Sequence, residues 1–223
     1  MTNDHTDSYS ALLRGARRFH ETEYEGDRSL MARLAQGQEP DVLIIACSDS
    51  RVDPALICGA RPGDIFVVRV VANLVSPRRP GDATAHAVMA AVEYGVKALG
   101  VSHVVVCGHS HCGGIKAALD AARGQELPLF ECLGPWVALA DGACREVLAE
   151  DSEGERTEAE AATAAEQRSV LRSLANLRSY AWIQDRVETG DLTLHGWWFD
   201  IDTGALWMAE PDTGVFQLPP NSS

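Results

Sequence analysis

Two runs of apolar, mostly β-branched residues, Val42–Ala46 and Val104–Cys107, each end in a chemically loaded cluster. The first is followed by Cys47-Ser48-Asp49-Ser50-Arg51 and the second by His109-Ser110-His111-Cys112-Gly113-Gly114. Near-continuous apolar runs of this length read as strands buried on both faces, as in parallel sheets. Helical patterns separate them. Asp53-Pro54 is a helix-start signal, with proline at the first helical position. A second strand is expected over Ile65–Ala72, then the turn-rich stretch Ser76–Asp82, with Asp82 placed to cap a helix over about Ala83–Leu99. His103–Cys107 supplies a third strand and Gly114–Ala122 a further helix. This alternation predicts an α/β fold: a central, mostly parallel sheet with helices on both faces.

The rest of the chain fits the same domain. Gly134–Glu150 and Glu158–Leu177 read as helices, joined by an acidic connection at about 151–157 that is expected to be mobile. Leu192–Asp200 reads as a strand, and Asp202-Thr203-Gly204 turns it back into Ala205–Glu210, giving an antiparallel edge strand. Upstream, Ser8–Gln36 reads as two helices, with Asp27 as N-cap of Arg28–Gln36. This helical arm, about residues 1–36, is a candidate for packing on a second subunit or on its own domain. A frayed tail is expected at about 218–223, and neither a repeat nor a second boundary interrupts a single domain over 1–223.

A net charge of −13 over 223 residues leaves no basic stripe to neutralise phosphates, which argues against a nucleic-acid partner. No apolar run approaches the ~20 residues a membrane span needs, and no secretion-signal pattern opens the chain. The six cysteines therefore read as reduced thiols of a cytoplasmic protein, with metal binding favoured over disulfides. Cys58, Cys132 and Cys144 stand in apolar or helix-like contexts and read as core residues.

The two clusters fall where open α/β sheets gather their ligands, at the carboxyl ends of strands. His109 and Cys112 are two residues apart in between, so a tight turn or helix start places both on one side, while the adjacent His111 diverges. Cys107, two residues before His109 on the strand, is an alternative ligand. A Cys112 that opens a helix is favoured as thiolate by the helix dipole. With Cys47, these residues offer zinc three ligands and leave a fourth position open, the pattern of a catalytic site. Asp49 and Arg51, two apart, can form a charge-assisted pair. A carboxylate so held can accept a hydrogen bond from a metal-bound water or occupy the fourth position itself.

Cys-Ser-Asp-Ser-Arg at 47–51 and Gly-His-Ser-His-Cys-Gly-Gly at 108–114 resemble the two signatures of the β-class carbonic anhydrases. Arg69-Val70-Val71-Ala72-Asn73, Ala91-Val92-Glu93-Tyr94 and His195-Gly196-Trp197 extend the likeness, which runs from about residue 8 to 210. The resemblance implies zinc on Cys47, His109 and Cys112, and an Asp49–Arg51 dyad that orients the zinc-bound hydroxide. The activity implied is reversible hydration of carbon dioxide to bicarbonate and a proton, by a homodimer or dimer-based homo-oligomer. The cleft then lies at the dimer interface, with Gln38, Phe66, Val71 and Tyr94 at its lining positions and the main chain near Gly113 on the substrate side.

A bicarbonate-regulated subgroup has tryptophan and tyrosine where this chain has Ile44 and Phe199, and shares only Arg69. Its closed-site regulation is not expected here. Two other functions fit the same ligands: hydrolysis of carbon disulfide or carbonyl sulfide, and non-catalytic bicarbonate binding. The chain's ordinary length argues against the first, and the intact dyad against the second. His111 reads as a proton relay or, more readily, as a surface imidazole.

Overall fold

The computed structural model describes residues 5–79, 86–126, 131–151 and 153–220. The chain divides into two compact units, a helical arm through Gln38 and a sheet unit from Glu39. In the arm, α1 (His5–Phe19) passes into a π-helical turn (His20–Tyr24), and α2 (Arg28–Leu34) follows. Asp27 caps α2 as expected, accepting the Leu30 N–H at 3.0 Å. Tyr9, Leu12, Leu13, Phe19 and Tyr24 are exposed along this arm, Leu12 to 72%.

The sheet unit runs β1 (Val42–Ala46), α3 (Pro54–Cys58), β2 (Ile65–Arg69), α4 (His86–Glu93, continued by a π-helical stretch Tyr94–Leu99), β3 (His103–His109) and α5 (Gly113–Ala122). There follow α6 (Leu133–Val137), α7 (Asp141–Glu150), α8 (Glu158–Arg178), α9 (Ala181–Glu188), β4 (Thr193–Phe199), β5 (Leu206–Ala209) and β6 (Phe216–Gln217). The sheet order is β2-β1-β3-β4-β5-β6, parallel from β2 through β4 and antiparallel at β5 and β6. This is the α/β architecture that the strand–helix alternation predicts. Among the described residues no helix is long and apolar enough to cross a membrane.

Alternation along the strands sorts their residues between two faces. Leu43, Ile45, Val68, Val104 and Val106 pack with Val88, Met89 and Val92 of α4, Val170 and Leu177 of α8, and Ile183 of α9. Ile44, Ala46, Val105 and Cys107 form a smaller cluster of their own. A third cluster lies at the ends of β1 and β3: Cys47, Ala72 and Cys112 pack with Ile115 and Leu119 of α5, Cys144 of α7 and Ala165 of α8.

Several boundaries differ from the sequence reading. β2 stops at Arg69, not Ala72, because Ala72 and Asn73 turn left-handed (φ 59° and 48°) in a short 3₁₀ turn. The helix expected over Gly134–Glu150 is broken by a 3₁₀ turn at Ala138–Ala140. β5 is not the sheet edge, since the two-residue β6 pairs beyond it, and a strand that short leaves no periodicity to read. The acidic connection is tied at Asp151, whose Oδ1 accepts the N–H groups of Glu155 and Arg156, and Thr157 with Glu160 forms a capping box for α8. The expected Asp82 cap and the last residues of the expected frayed tail lie outside the described residues.

Candidate metal centre

Ala46 pairs with Cys107 across β1 and β3, so Cys47 leaves the first strand beside the end of the second, where His109 stands. Cys112 is the N-cap of α5, three residues on. All three are buried, and one ligand atom from each lies within 4.8 Å of the others. The N–H of Ala72 donates to Cys47 Sγ at 3.2 Å. That contact accounts for the left-handed backbone at Ala72, which costs about 1–2 kcal/mol for a residue with a Cβ. Gly114 makes the turn possible from the other side: a Cβ there would come within 2.9 Å of the Ala72 Cβ.

The donor chemistry suits a soft cation. His109 Nδ1 lies 2.9 Å from the Ser110 carbonyl, which places the proton on Nδ1 and a lone pair on Nε2. Nε2 is buried without a hydrogen-bond partner among the described residues. The Cys47 thiol is held well below its ordinary value, first by the hydrogen bond from Cys112, which outweighs burial, and then by His109. Cys112 is pushed the other way by the Cys47 sulfur and by burial. Two thiols this close share one proton, and losing the second requires a cation in its place. Two thiolates and an imidazole with a free lone pair are ligands zinc accepts.

Asp49 and Arg51 meet as a fork. Arg51 donates from Nε to Oδ1 at 2.9 Å and from Nη2 to Oδ2 at 2.8 Å, and its main-chain N–H also reaches Oδ1 at 2.9 Å. These bonds outweigh burial and hold the Asp49 carboxyl well below the usual carboxylate range. Arg51 Nη2 also donates to the His111 carbonyl at 3.0 Å, tying the two clusters together. Arg69 holds the first loop from behind. Its guanidinium donates to the carbonyls of Cys47 (3.1 Å), Asp49 (2.7 Å) and Val52 (2.6 Å), and to Asp53 Oδ2 at 3.3 Å.

The other residues singled out in the sequence separate into groups. Val71 adjoins Ala72, and Gly113 is the exposed first residue of α5, so both lie beside the ligands. The rings of Phe66 and Tyr94 meet at 5.9 Å with their planes tilted by 40°, but Phe66 precedes Arg69 by three residues, about 10 Å back along β2 from the end that carries Cys47. Gln38 ends the helical arm, a separate unit. His111 takes a left-handed turn (φ 59°), and its Nε2 meets Asp202 Oδ2 at 2.7 Å on the surface.

Cys107 does not join the ligand group. It is buried against Ile44 and Val105, and burial pushes its thiol up to about 12. Cys144 is buried as expected, whereas Cys58 and Cys132 are exposed, a correction to their reading as core. Cys58 closes a five-residue helix against the left-handed Gly59, and its neighbour Leu56 is 82% exposed.

One residue of the site escaped the sequence reading. Glu166 of α8 is 3% exposed, with Oε1 accepting the Cys112 N–H and Oε2 the Trp198 Nε1–H, both at 3.0 Å. Burial raises its carboxyl despite these two donors. The signal was its position on the inward stripe of α8, in helical register with Val170, Ser173 and Leu177.

A parallel sheet with two thiols and an imidazole converging at its carboxyl edge defines an α/β metalloprotein. The carbonic anhydrase family model matches residues 42–206. The chain is 36% identical over 213 residues to a carbonic anhydrase of Synechococcus elongatus, an alignment covering 93% of this chain and 75% of that protein. It is 36% identical over 195 residues to one from Pseudomonas aeruginosa, covering 87% and 84%. The solved β-carbonic anhydrase CcaA matches with a TM-score of 0.85 at 33% identity, covering 96% of this chain and 93% of its own. A tetrameric β-carbonic anhydrase of Sordaria macrospora matches with a TM-score of 0.79 at 30% identity, covering 95% and 99%. The chain belongs to the β-class carbonic anhydrase family, whose members depend on zinc.

The thiol environments predict a labelling order. Mild alkylation of the folded protein, mapped by peptide mass spectrometry, is expected to modify the exposed Cys58 and Cys132 first. Cys107 and Cys144, buried and pushed up to about 12 and about 11, are expected to stay unmodified until unfolding. Labelling of Cys107 ahead of the exposed pair would contradict these assignments.

Proposed function

We propose that the protein catalyses reversible hydration of carbon dioxide to bicarbonate and a proton, with one zinc ion per subunit held by Cys47, His109 and Cys112. The observation that carries this reading is the Asp49 carboxylate, forked to Arg51 and outside the ligand group, two residues from Cys47. Zinc bound there supplies the Lewis acidity that makes water a usable nucleophile near neutral pH.

Asp49 stays ionised at working pH, so it only accepts hydrogen bonds. Oδ1 already takes two donors from Arg51 and Oδ2 takes one, which leaves Oδ2 with capacity for the attacking water. Accepting that hydrogen bond would turn an oxygen lone pair towards the carbon of the substrate. Arg51 keeps its own proton throughout and fixes the carboxylate. Val71 offers an apolar wall for carbon dioxide, and the main chain at Gly113 faces the substrate unobstructed by a side chain. Arg69 spends its donors on loop carbonyls, and Ile44 is buried in the sheet, which supports an enzyme without the closed-site regulation of the tryptophan-bearing subgroup.

We assign Phe66 and Tyr94 to a cleft completed by a second copy of the chain. Tyr94 is 49% exposed, and the apolar residues exposed along the arm suit burial against a like subunit. Free cysteines throughout the described residues suit the cytoplasm.

Two measurements test the reading. Asp49→Asn is expected to retain zinc, by metal analysis, while kcat/KM for hydration falls about 100-fold; an unchanged rate would remove Asp49 from the mechanism. Leu12→Asp is expected to shift the protein to monomers in light scattering, with activity lost in parallel. A variant with unaltered mass and activity would contradict the role given to the arm.

A further inference from the structure

We propose that Glu166 is a positioning residue: its carboxylate fixes the main chain of Cys112, and so the sulfur, in the geometry that holds the metal. The inference rests on the metal reading above and extends it to a residue outside the ligand set. Cys112 sits at the N-cap of α5, with φ −69° and ψ 110°. Its N–H faces inward rather than joining the helix, and Glu166 Oε1 accepts it at 3.0 Å. The other oxygen is anchored by the indole N–H of Trp198, also at 3.0 Å. Trp198 lies opposite Gly108 in the β3–β4 pairing, the residue before ligand His109.

One buried carboxylate thus ties α8, the strand beside His109 and the turn that carries Cys112. The packing leaves little play: a Cβ at Gly108 would come within 2.7 Å of Val170 Cγ2 on α8 and 3.6 Å of Trp198 Cδ1. A buried charged group is expensive unless its lone pairs are satisfied, so a mere filler here would be apolar. Two N–H donors converging on one side chain require an acceptor on each arm. A glutamine offers one oxygen and one NH₂, and the NH₂ meets a donor.

The test is a chelator competition that measures zinc affinity, together with the thiolate-to-metal absorption of the cobalt(II)-substituted protein. Glu166→Gln is expected to weaken zinc about 10–100-fold and to shift the cobalt spectrum, with the circular dichroism of the fold retained. Ser169→Ala is the control for α8 packing: Ser169 is 1% exposed, its Oγ has no hydrogen-bond partner among the described residues, and its loss is expected to leave both readouts unchanged. Wild-type affinity and spectrum in Glu166→Gln would overturn the proposal, as would an equal loss in Ser169→Ala. Should Glu166→Gln not fold, Trp198→Phe is expected to weaken zinc in the same direction by less, and no change there would overturn it too. Failure of the wild-type protein to bind zinc or cobalt would instead overturn the metal reading itself.

Discussion

The pairing of β1 with β3, which sets Ala46 opposite Cys107, is the constraint on which the site depends. Parallel strands in register end together, so the first residue past β1 and the last residue of β3 emerge at one edge. A slip of one residue in either strand would turn Cys47 or His109 to the other face. Apolar packing opposes such a slip, because it would pull Leu43, Ile45, Val104 and Val106 together out of the main core, in which each is fully buried. Burying a side chain of this kind is worth about 1.5–3 kcal/mol, so four of them outweigh any local preference of the loops.

Around that edge, the remaining groups restrain one another. Arg69 binds the carbonyls of the Cys47 loop, Arg51 joins that loop to the His111 carbonyl, and Glu166 holds the Cys112 N–H. Local strain is accepted to achieve this. Ala72, Asn73 and His111 all adopt left-handed backbones without being glycine, and all three lie within the two ligand turns or the turn that donates to Cys47. Rigid placement of this kind allows a buried sulfur pair to be built without a disulfide.

Much of this was legible in the sequence, for identifiable reasons. Val42–Ala46 is bounded correctly because a buried parallel strand is a continuous apolar run with polar residues at either end. Asp27 and Asp53 cap the helices expected of them because capping is a short-range signal. The convergence of Cys47, His109 and Cys112 was legible because the two clusters fall at neighbouring strand ends. What was not legible depends on contacts distant in sequence. The left-handed turn at Ala72 is specified by the Cys47 sulfur, 25 positions away, and the role of Glu166 by Cys112, 54 positions away. Whether Cys58 and Cys132 are exposed depends on what packs over short helices and turns, to which their apolar neighbours in sequence are no guide. Helix α9 is eight residues long and follows α8 after two residues, too brief for its pattern to stand apart.

The most direct test of the account is stopped-flow hydration of carbon dioxide by the zinc-loaded protein, followed with a pH dye from about pH 6.5 to about pH 9. Two thiolate ligands donate more charge to zinc than imidazoles do, so rapid turnover that rises above neutral pH is the predicted result. Absence of turnover across that range, with zinc confirmed on the protein, would contradict the assignment of this site to carbon dioxide hydration.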